Sequence, residues 1–201
     1  MKLFPNWCLH SDNISAKIVD DIELCSLSCS REQSAAFRDA FQRRFVTPPP
    51  GPGKLARTNS DYVFWSAPEQ WIVSAATDDA SLDIKLAEAF ASAGYATLQS
   101  DAWTTVSLRG AGIGKLFERL SALDLSHHAF PVGSAARTMF HHIAVYILRI
   151  AEDEFHFLTP RSTTQSFLKS LEIAFADVQY AFNLMKDGAK RFSFSYGAAR
   201  R

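Results

Sequence analysis

Apolar residues recur along this chain with two periods, alternating with polar residues in some segments and returning every three or four positions in others. Alternation predicts half-buried strands, and the longer period predicts helices with one buried face. Two helical faces are clearest in the first half, formed by Phe37, Phe41 and Phe45 and by Leu82, Leu86 and Phe90. Together with strands predicted at 18–29, 61–66, 71–75 and 95–99, they give residues 1–100 the order βαββαβ.

The second half repeats this order. Strands are predicted at 104–108, 143–150 and 155–159, with helical stripes that begin near Ile113 and Phe167. The fold class is therefore predicted as α+β, with two ferredoxin-like βαββα(β) units at residues 1–100 and 101–176. Within the first unit, the Pro-rich stretch 47–54 is expected to form a stiff loop, because consecutive prolines donate no backbone hydrogen bonds.

Residues 177–201 are predicted as a basic C-terminal strand or tail. Phe192, Phe194 and Tyr196 alternate with serines, as in an edge strand. The basic residues of this stretch outnumber its acids, and near the end they are Lys186, Lys190, Arg191, Arg200 and Arg201. A solvated tail is the favoured interpretation, and an arm that docks on an acidic partner is the alternative.

The overall charge is balanced, with 21 Lys and Arg against 21 Asp and Glu. Nucleic acid is therefore not expected as a partner, because phosphate binding requires a basic field. No stretch approaches the roughly 20 apolar residues of a membrane span, and the first residues lack the apolar run of a signal peptide. We expect a cytoplasmic protein that does not bind a membrane, with its three cysteines as unpaired, mostly buried thiols.

A glycine run invites a chemical interpretation. Gly110, Gly112 and Gly114 follow a predicted strand and precede a predicted helix, which is the setting of phosphate-binding loops. However, Lys115 occupies the third glycine position of the dinucleotide fingerprint. A tight turn is therefore the favoured interpretation.

The histidines are the second candidates for chemistry. His141 and His142 are expected to be neighbours on a strand, which would point their rings to opposite faces. His156 is expected to oppose a residue near Leu148 across a hairpin. Because no acidic or thiol side chain completes a ligand set around these histidines, we predict no metal site. We also predict that this chain has no catalytic residue and no cofactor-binding residue.

Several short motifs, taken in order, resemble those of one known family. They are Pro48-Pro49-Pro50-Gly51, Ala67-Pro68-Glu69-Gln70-Trp71, Ser100-Asp101-Ala102-Trp103-Thr104, Leu123-Asp124-Leu125-Ser126-His127, Phe130-Pro131-Val132-Gly133, Ala136-Arg137-Thr138, Asp153-Glu154-Phe155 and Pro160-Arg161-Ser162. The set resembles the gamma subunit of heterotetrameric sarcosine oxidase, whose fold is related to that of the folate-binding aminomethyltransferases.

The resemblance implies a non-catalytic subunit that packs against a large alpha subunit, with beta and delta subunits as further partners. Such a complex oxidises sarcosine to glycine and either releases the one-carbon unit as formaldehyde or passes it to tetrahydrofolate, its co-substrate. The resemblance places FAD, FMN, NAD and zinc in the other subunits and no cofactor in this one.

Three alternatives remain open. The complex could act on another N-methylated amine, or the chain could be a stand-alone folate-binding aminomethyltransferase-like protein, with Asp101 as the nominated carboxylate. The third alternative is an adaptor without a metabolic partner. For the subunit hypothesis, loops are the expected contact sites, and the candidate contact residues are His127, His128, Phe130, Pro131, Arg137 and Arg161.

Overall fold

The computed structural model describes residue 4 and residues 7–58, 61–76, 81–118 and 120–197, with side chains described as far as residue 183. These residues form eleven strands and four helices. The strands are β1 (Cys8–His10), β2 (Ser15–Val19), β3 (Ile22–Ser28), β4 (Leu55–Arg57), β5 (Tyr62–Ala67), β6 (Gln70–Ala76), β7 (Tyr95–Leu98), β8 (Trp103–Arg109), β9 (Ala135–Phe140), β10 (Ile143–Ala151) and β11 (Glu154–Pro160). The helices are α1 (Ser34–Phe45), α2 (Leu82–Phe90), α3 (Ile113–Phe117) and α4 (Thr164–Gly197).

The first sheet has five strands in the order β4-β5-β6-β3-β7, and all its pairs are antiparallel. With α1 after β3 and α2 after β6, the chain order around this sheet is βαββαβ, with β4 added at one edge. This is the ferredoxin-like arrangement predicted for the first half.

The second sheet has six antiparallel strands in the order β1-β2-β8-β11-β10-β9. Strand β8, helix α3, the hairpin β10–β11 and helix α4 supply the βαββα part of a second ferredoxin-like unit. Its fourth strand comes from the N-terminus, because β2 pairs with β8, with Ala16 opposite Leu108. The fold class is thus confirmed as two ferredoxin-like units, but residues 8–19 lie in the second sheet, outside the unit in which the sequence placed them.

The two sheets stack face to face, and the helices cover their outer faces. Alternation along the strands separates the layers: in β3, for example, Cys25 and Leu27 pack with α1 and α2, whereas Leu24 faces the other sheet. In β10, Val145 and Ile147 pack in the core beneath α3 and α4, whereas Tyr146 and Leu148 face the first sheet. At one side the sheets are joined directly by the backbone, since Leu55 donates to the Gly133 carbonyl at 2.8 Å.

Two predictions about elements need correction. The single strand predicted at 18–29 is two strands in different sheets, β2 and β3, which turn at Asp20 and Asp21. The strand or tail predicted for 177–201 is helical through Gly197, as the continuation of α4. Because β2 fills the sheet position next to β8, a strand that followed α4 would have no free place beside β8.

No helix among the residues that the structure describes is both long enough and apolar enough to span a bilayer.

Candidate functional site

The candidate contact residues do not form one surface. His127, His128 and Pro131 are exposed on the 126–134 loop, which leads into β9. Arg161 lies after the far end of β11, whereas Glu152 beside His127 lies before its near end. Because a strand rises about 3.3 Å per residue, the loop and Arg161 are roughly 20 Å apart along the sheet. If both contact a partner, they contact it at separate places.

A buried arginine holds the 126–134 loop in place. Arg149 is only 6% exposed, and its Nη1 donates to the Phe130 carbonyl at 2.7 Å and to the Leu125 carbonyl at 3.4 Å. Its Nη2 donates to the Glu152 carbonyl at 2.8 Å. The guanidinium also lies over the Phe155 ring, 5.1 Å from the ring centre. These bonds tie the loop to the β10–β11 turn and fix what it presents to solvent.

Arg149 was not among the residues predicted from the sequence. The available signal was its position as the one charged residue of the apolar strand Ile143–Ala151. A charge at such a position requires several hydrogen-bond acceptors to offset its desolvation, and the adjacent loop supplies them as carbonyls.

Phe130, one of the candidate contact residues, is not exposed in this chain. Its side chain is 5% exposed and belongs to the core cluster beneath α3 and α4. The backbone carbonyl of Phe130 accepts the Arg149 bond, so the residue anchors the loop rather than offering its ring to a partner.

His127 lies within ion-pair distance of the β10–β11 turn. Its Nδ1 is 3.4 Å from the Glu152 carboxylate, and both side chains are more than half exposed. At the start of the loop, the Asp124 carboxylate accepts the Ser126 amide at 2.8 Å, and this hydrogen bond lowers the pKa of Asp124. The loop therefore combines a fixed backbone with exposed polar side chains.

The two candidate arginines have local partners. The Arg137 side chain is exposed on the edge strand β9, and its guanidinium lies 5.7 Å from the centre of the Tyr146 ring. Arg161 pairs with the Asp101 carboxylate, and its amide donates to the Ala102 carbonyl at 2.9 Å. Both arginines thus have a structural role within this chain, which is compatible with a contact role for their remaining surface.

Asp101 is poorly placed to serve a folate. Its side chain is 97% exposed and lies in the turn before β8, paired with Arg161. The nearby cavity, between β2, β3 and the start of β8, has a volume of about 210 Å³. Drug-sized ligands occupy pockets of about 300–1,000 Å³, so the residues here do not fit a pterin with a reactive amine beside it.

The glycine run has a structural explanation. The Gly110 amide donates to the Asp153 carbonyl at 2.9 Å, and the Gly112 amide donates to the Asn13 carbonyl at 3.3 Å. A Cβ on Gly112 would lie 2.7 Å from the Ile14 side chain. These glycines let the β1–β2 turn approach the turn between β8 and α3 closely, and their amides are used within the chain. The interpretation as a permissive turn is confirmed for Gly110 and Gly112, whereas Gly114 lies within α3.

Two predictions about histidines have different outcomes. His156 lies opposite Leu148, as expected. His141 and His142, in contrast, form the turn between β9 and β10, and His141 has a positive φ of 53°. Among the described residues, no three His, Cys, Asp or Glu side chains are grouped closely enough to hold a metal ion.

His156 belongs to a polar cluster on the face between the sheets. Its Nε2 is 3.4 Å from the Glu154 carboxylate, which in turn pairs with Arg109 at 2.6 Å. Burial lowers the pKa of His156, although Glu154 acts in the opposite direction. Burial opposes ionisation of Glu154, but Arg109 and His156 together lower its pKa. At neutral pH the cluster therefore holds the ionised carboxylate of Glu154 beside the mainly neutral imidazole of His156.

Comparisons with known proteins identify one matching family and several similar folds. A family model described as the sarcosine oxidase, gamma subunit family matches residues 36–177. The fold is similar to a chain of the heterotetrameric sarcosine oxidase from Corynebacterium sp. U-96, solved in complex with pyrrole 2-carboxylate, with a TM-score of 0.72 and 20% identity over 82% of this chain and 85% of that one. It is also similar to the glycine cleavage system aminomethyltransferase T from Bartonella henselae, with a TM-score of 0.53 and 10% identity over 79% of this chain and 45% of that one. No curated protein matches the chain.

Proposed function

The chain belongs to the sarcosine oxidase gamma subunit family, and from this membership we propose that it is the non-catalytic gamma subunit of a heterotetrameric sarcosine oxidase. The observation that carries the proposal is the family match, which extends from α1 into α4 and so covers most of both ferredoxin-like units, although β1, β2 and β3 lie before it. In this role the chain packs against the large alpha subunit, within a complex that also contains beta and delta subunits.

The proposal assigns the chemistry to the other chains. Oxidative demethylation of sarcosine to glycine releases a one-carbon unit as formaldehyde or transfers it to tetrahydrofolate. FAD, FMN, NAD and zinc belong, in this proposal, to the partner subunits. It is supported by the local partners of three polar groups of this chain: Arg149 holds a loop, Asp101 pairs with Arg161, and His156 lies beside Glu154 between the sheets.

Co-purification tests the proposal. The chain would be affinity-tagged in the cells that express it naturally and recovered at low salt. We expect it to bring down a large flavin-containing chain, with flavin absorbance and sarcosine-dependent formation of hydrogen peroxide in the eluate. Recovery of the tagged chain alone, under conditions where sarcosine oxidation is present in the lysate, would refute the proposal.

A related oxidase for another N-methylated amine is a second candidate, because the same family architecture could serve it. The purified complex would be assayed with sarcosine and with other N-methylated amino acids at equal concentrations. A higher kcat/KM for sarcosine than for the other amines supports the assignment, and a preference for another amine reassigns the substrate without changing the role of this chain.

The alternative of a stand-alone folate-binding protein leads to a different expected result for the isolated chain. Such a protein would bind a reduced folate by itself, and Asp101→Asn would weaken that binding. Because Asp101 is exposed and paired with Arg161, we expect no binding of tetrahydrofolate to the isolated chain at millimolar concentration in a calorimetric titration.

A further inference from the structure

Helix α1 ends at a residue whose backbone is unusual for its type. Val46 has φ 58° and ψ 20°, the left-handed conformation, and its amide donates to the Gln42 carbonyl at 3.0 Å. Glycine or asparagine usually occupies this position, because a β-branched side chain is strained there. The side chain of Val46 is also 83% exposed, so burial within the chain does not offset the strain.

The segment around Val46 is fixed on both sides. The preceding Phe45 is 3% exposed in the core between α1 and the first sheet. Three prolines follow at 48–50, and the Trp71 indole donates to the Pro50 carbonyl at 2.8 Å. Val46 is therefore held in one exposed position by its neighbours. Strained residues that are held in this way concentrate at binding and catalytic sites.

A basic cleft lies beside Val46. It has a volume of about 710 Å³ and is lined by Arg44, Phe45, Val46, Thr47, Arg57, Thr58 and Asp61. Its one acidic residue is Asp61, which is 4% exposed and pairs with Arg44 at 3.1 Å. This leaves the positive charge of Arg57 as an excess in the cleft. Arg43, in the last turn of α1, is exposed next to the lining residue Arg44 in sequence.

The guanidinium groups of the cleft are held in place by aromatic rings. Arg44 lies 4.9 Å from the centre of the Phe45 ring, and Arg57 lies 5.5 Å from the centre of the Tyr62 ring. Guanidinium groups in fixed positions lose less side-chain entropy when they bind a carboxylate with two parallel hydrogen bonds.

We propose that Val46 and this cleft form a docking site for an acidic segment of another chain of the oxidase, an inference that rests on the function proposed above. Val46 inserts into an apolar pocket of that chain, while Arg57 and Arg43 face its carboxylates. An apolar centre with a charged rim is the usual anatomy of a protein interface. The excess of positive charge specifies an acidic partner.

A second copy of this chain does not fit the same surface. In a symmetric dimer each patch meets itself, which would bring Arg43 and Arg57 of the two copies near one another. Like charges in such a contact oppose association, whereas an acidic segment of a different chain neutralises them.

The test uses the tagged chain co-expressed with the other chains of its oxidase. In Val46→Gly and Val46→Asn the left-handed backbone becomes favourable and the apolar side chain is lost. We expect the urea midpoint of the isolated chain to rise in both variants, while recovery of the partner chains falls at least about tenfold. In Arg57→Gln, the complex dissociates at a lower salt concentration. Ile84→Gln is the matched control, since Ile84 is 56% exposed on α2 and does not line the cleft, and it leaves recovery unchanged.

The outcomes separate this inference from the proposed function. If the unaltered chain recovers its partners and the Val46 variants recover them equally well, the docking site is refuted and the subunit role stands. If the Val46 variants change only the self-association of the isolated chain, the occupant is a second copy and the inference is wrong. If the unaltered chain recovers no partner, both the inference and the proposed function fail.

Discussion

Gly110 approaches the backbone of Asn13 so closely that a Cβ added to it would lie 2.1 Å from the Asn13 carbonyl oxygen. The contact joins the start of the second ferredoxin-like unit to the N-terminal hairpin that completes its sheet. Gly110 also has a φ of 134°, a conformation that other residues rarely adopt. Two independent constraints thus require glycine at this position.

Gly110→Ala should therefore displace the β1–β2 hairpin. We expect a loss of about 2 kcal/mol or more in the free energy of unfolding, together with faster amide exchange in Ser15–Val19. Gly114→Ala is the control, because Gly114 lies within α3 and a Cβ there meets nothing within 4 Å. It should leave the chain as stable or up to about 1 kcal/mol more stable. Equal effects of the two substitutions in urea unfolding would contradict this interpretation.

Arg149→Met should release the 126–134 loop. The substitution removes the donors to the Phe130, Leu125 and Glu152 carbonyls. Because these acceptors lose their partners, we expect a loss of about 2 kcal/mol or more in unfolding free energy, with increased amide exchange at Phe130. Arg137→Met, on the neighbouring strand, removes an exposed arginine and should cost less than about 1 kcal/mol. A fully protected loop in Arg149→Met would show that other contacts hold it.

The polar cluster between the sheets predicts how stability depends on pH. Burial lowers the pKa of His156 below its ordinary value of 6.5, so the unfolded chain binds the proton more readily than the folded chain. Stability is therefore complete above about pH 6.5 and falls as the pH decreases through the pKa of the folded state. The charged groups that face His156 are Glu154, which opposes the shift, and Arg109 and Lys17, which add to it.

His156→Gln should reduce the loss of folding stability that occurs as the pH decreases below about 6.5. Urea unfolding at pH 8, 6.5 and 5.5 would be compared for the two proteins, and we expect a smaller decrease in the variant. Glu154, whose pKa is also lowered, contributes a separate loss below about pH 4.5, outside that range. Identical profiles for the two proteins between pH 8 and 5.5 would contradict the assignment to His156.

The three thiols should differ in reactivity. Burial raises the pKa of Cys25 to about 11, and its side chain is fully buried. Burial also raises the pKa of Cys29, whereas Cys8 is exposed. Because the thiolate is the reactive form, a thiol reagent at pH 8 should label Cys8 first, Cys29 more slowly, and Cys25 only after unfolding. Rapid labelling of Cys25 in the native Cys8→Ser variant would contradict the fold around β3.

Arg161→Ala tests one contact residue proposed from the sequence. Arg161 pairs with the exposed carboxylate of Asp101, and such pairs contribute about 1 kcal/mol or less to stability. We therefore expect the isolated chain to unfold nearly as before, while less of the partner subunit is recovered with it. Unchanged recovery would remove Arg161 from the contact surface and leave it with a local role only.

Periodicity alone was enough to predict most elements. The Phe37, Phe41 and Phe45 face became the buried side of α1, and the turn at Glu152 and Asp153 set His156 opposite Leu148. These features depend on residues that are near in sequence. The short edge strands β1, β4 and β9 were missed, because three to six residues at a sheet edge bury too little apolar surface to give a clear pattern.

Long-range pairing was beyond the reach of such patterns. Nothing local in Ser15–Val19 indicates that β2 pairs with β8, some ninety residues later. The same pairing removes the place for a C-terminal strand, so the alternation of Phe192, Phe194 and Tyr196 was misleading. The contact of Arg149 with the Phe130 carbonyl likewise depends on tertiary structure, which is why Phe130 was assigned to the surface.

The most direct test of the account is a comparison of the isolated chain with the complex recovered through its tag. Each sample, at equal concentration of this chain, would be scanned for flavin absorbance and assayed for hydrogen peroxide formed from sarcosine. We expect that only the complex absorbs as a flavoprotein and turns over sarcosine. Turnover by the isolated chain, or a flavin bound to it in stoichiometric amount, would contradict the account.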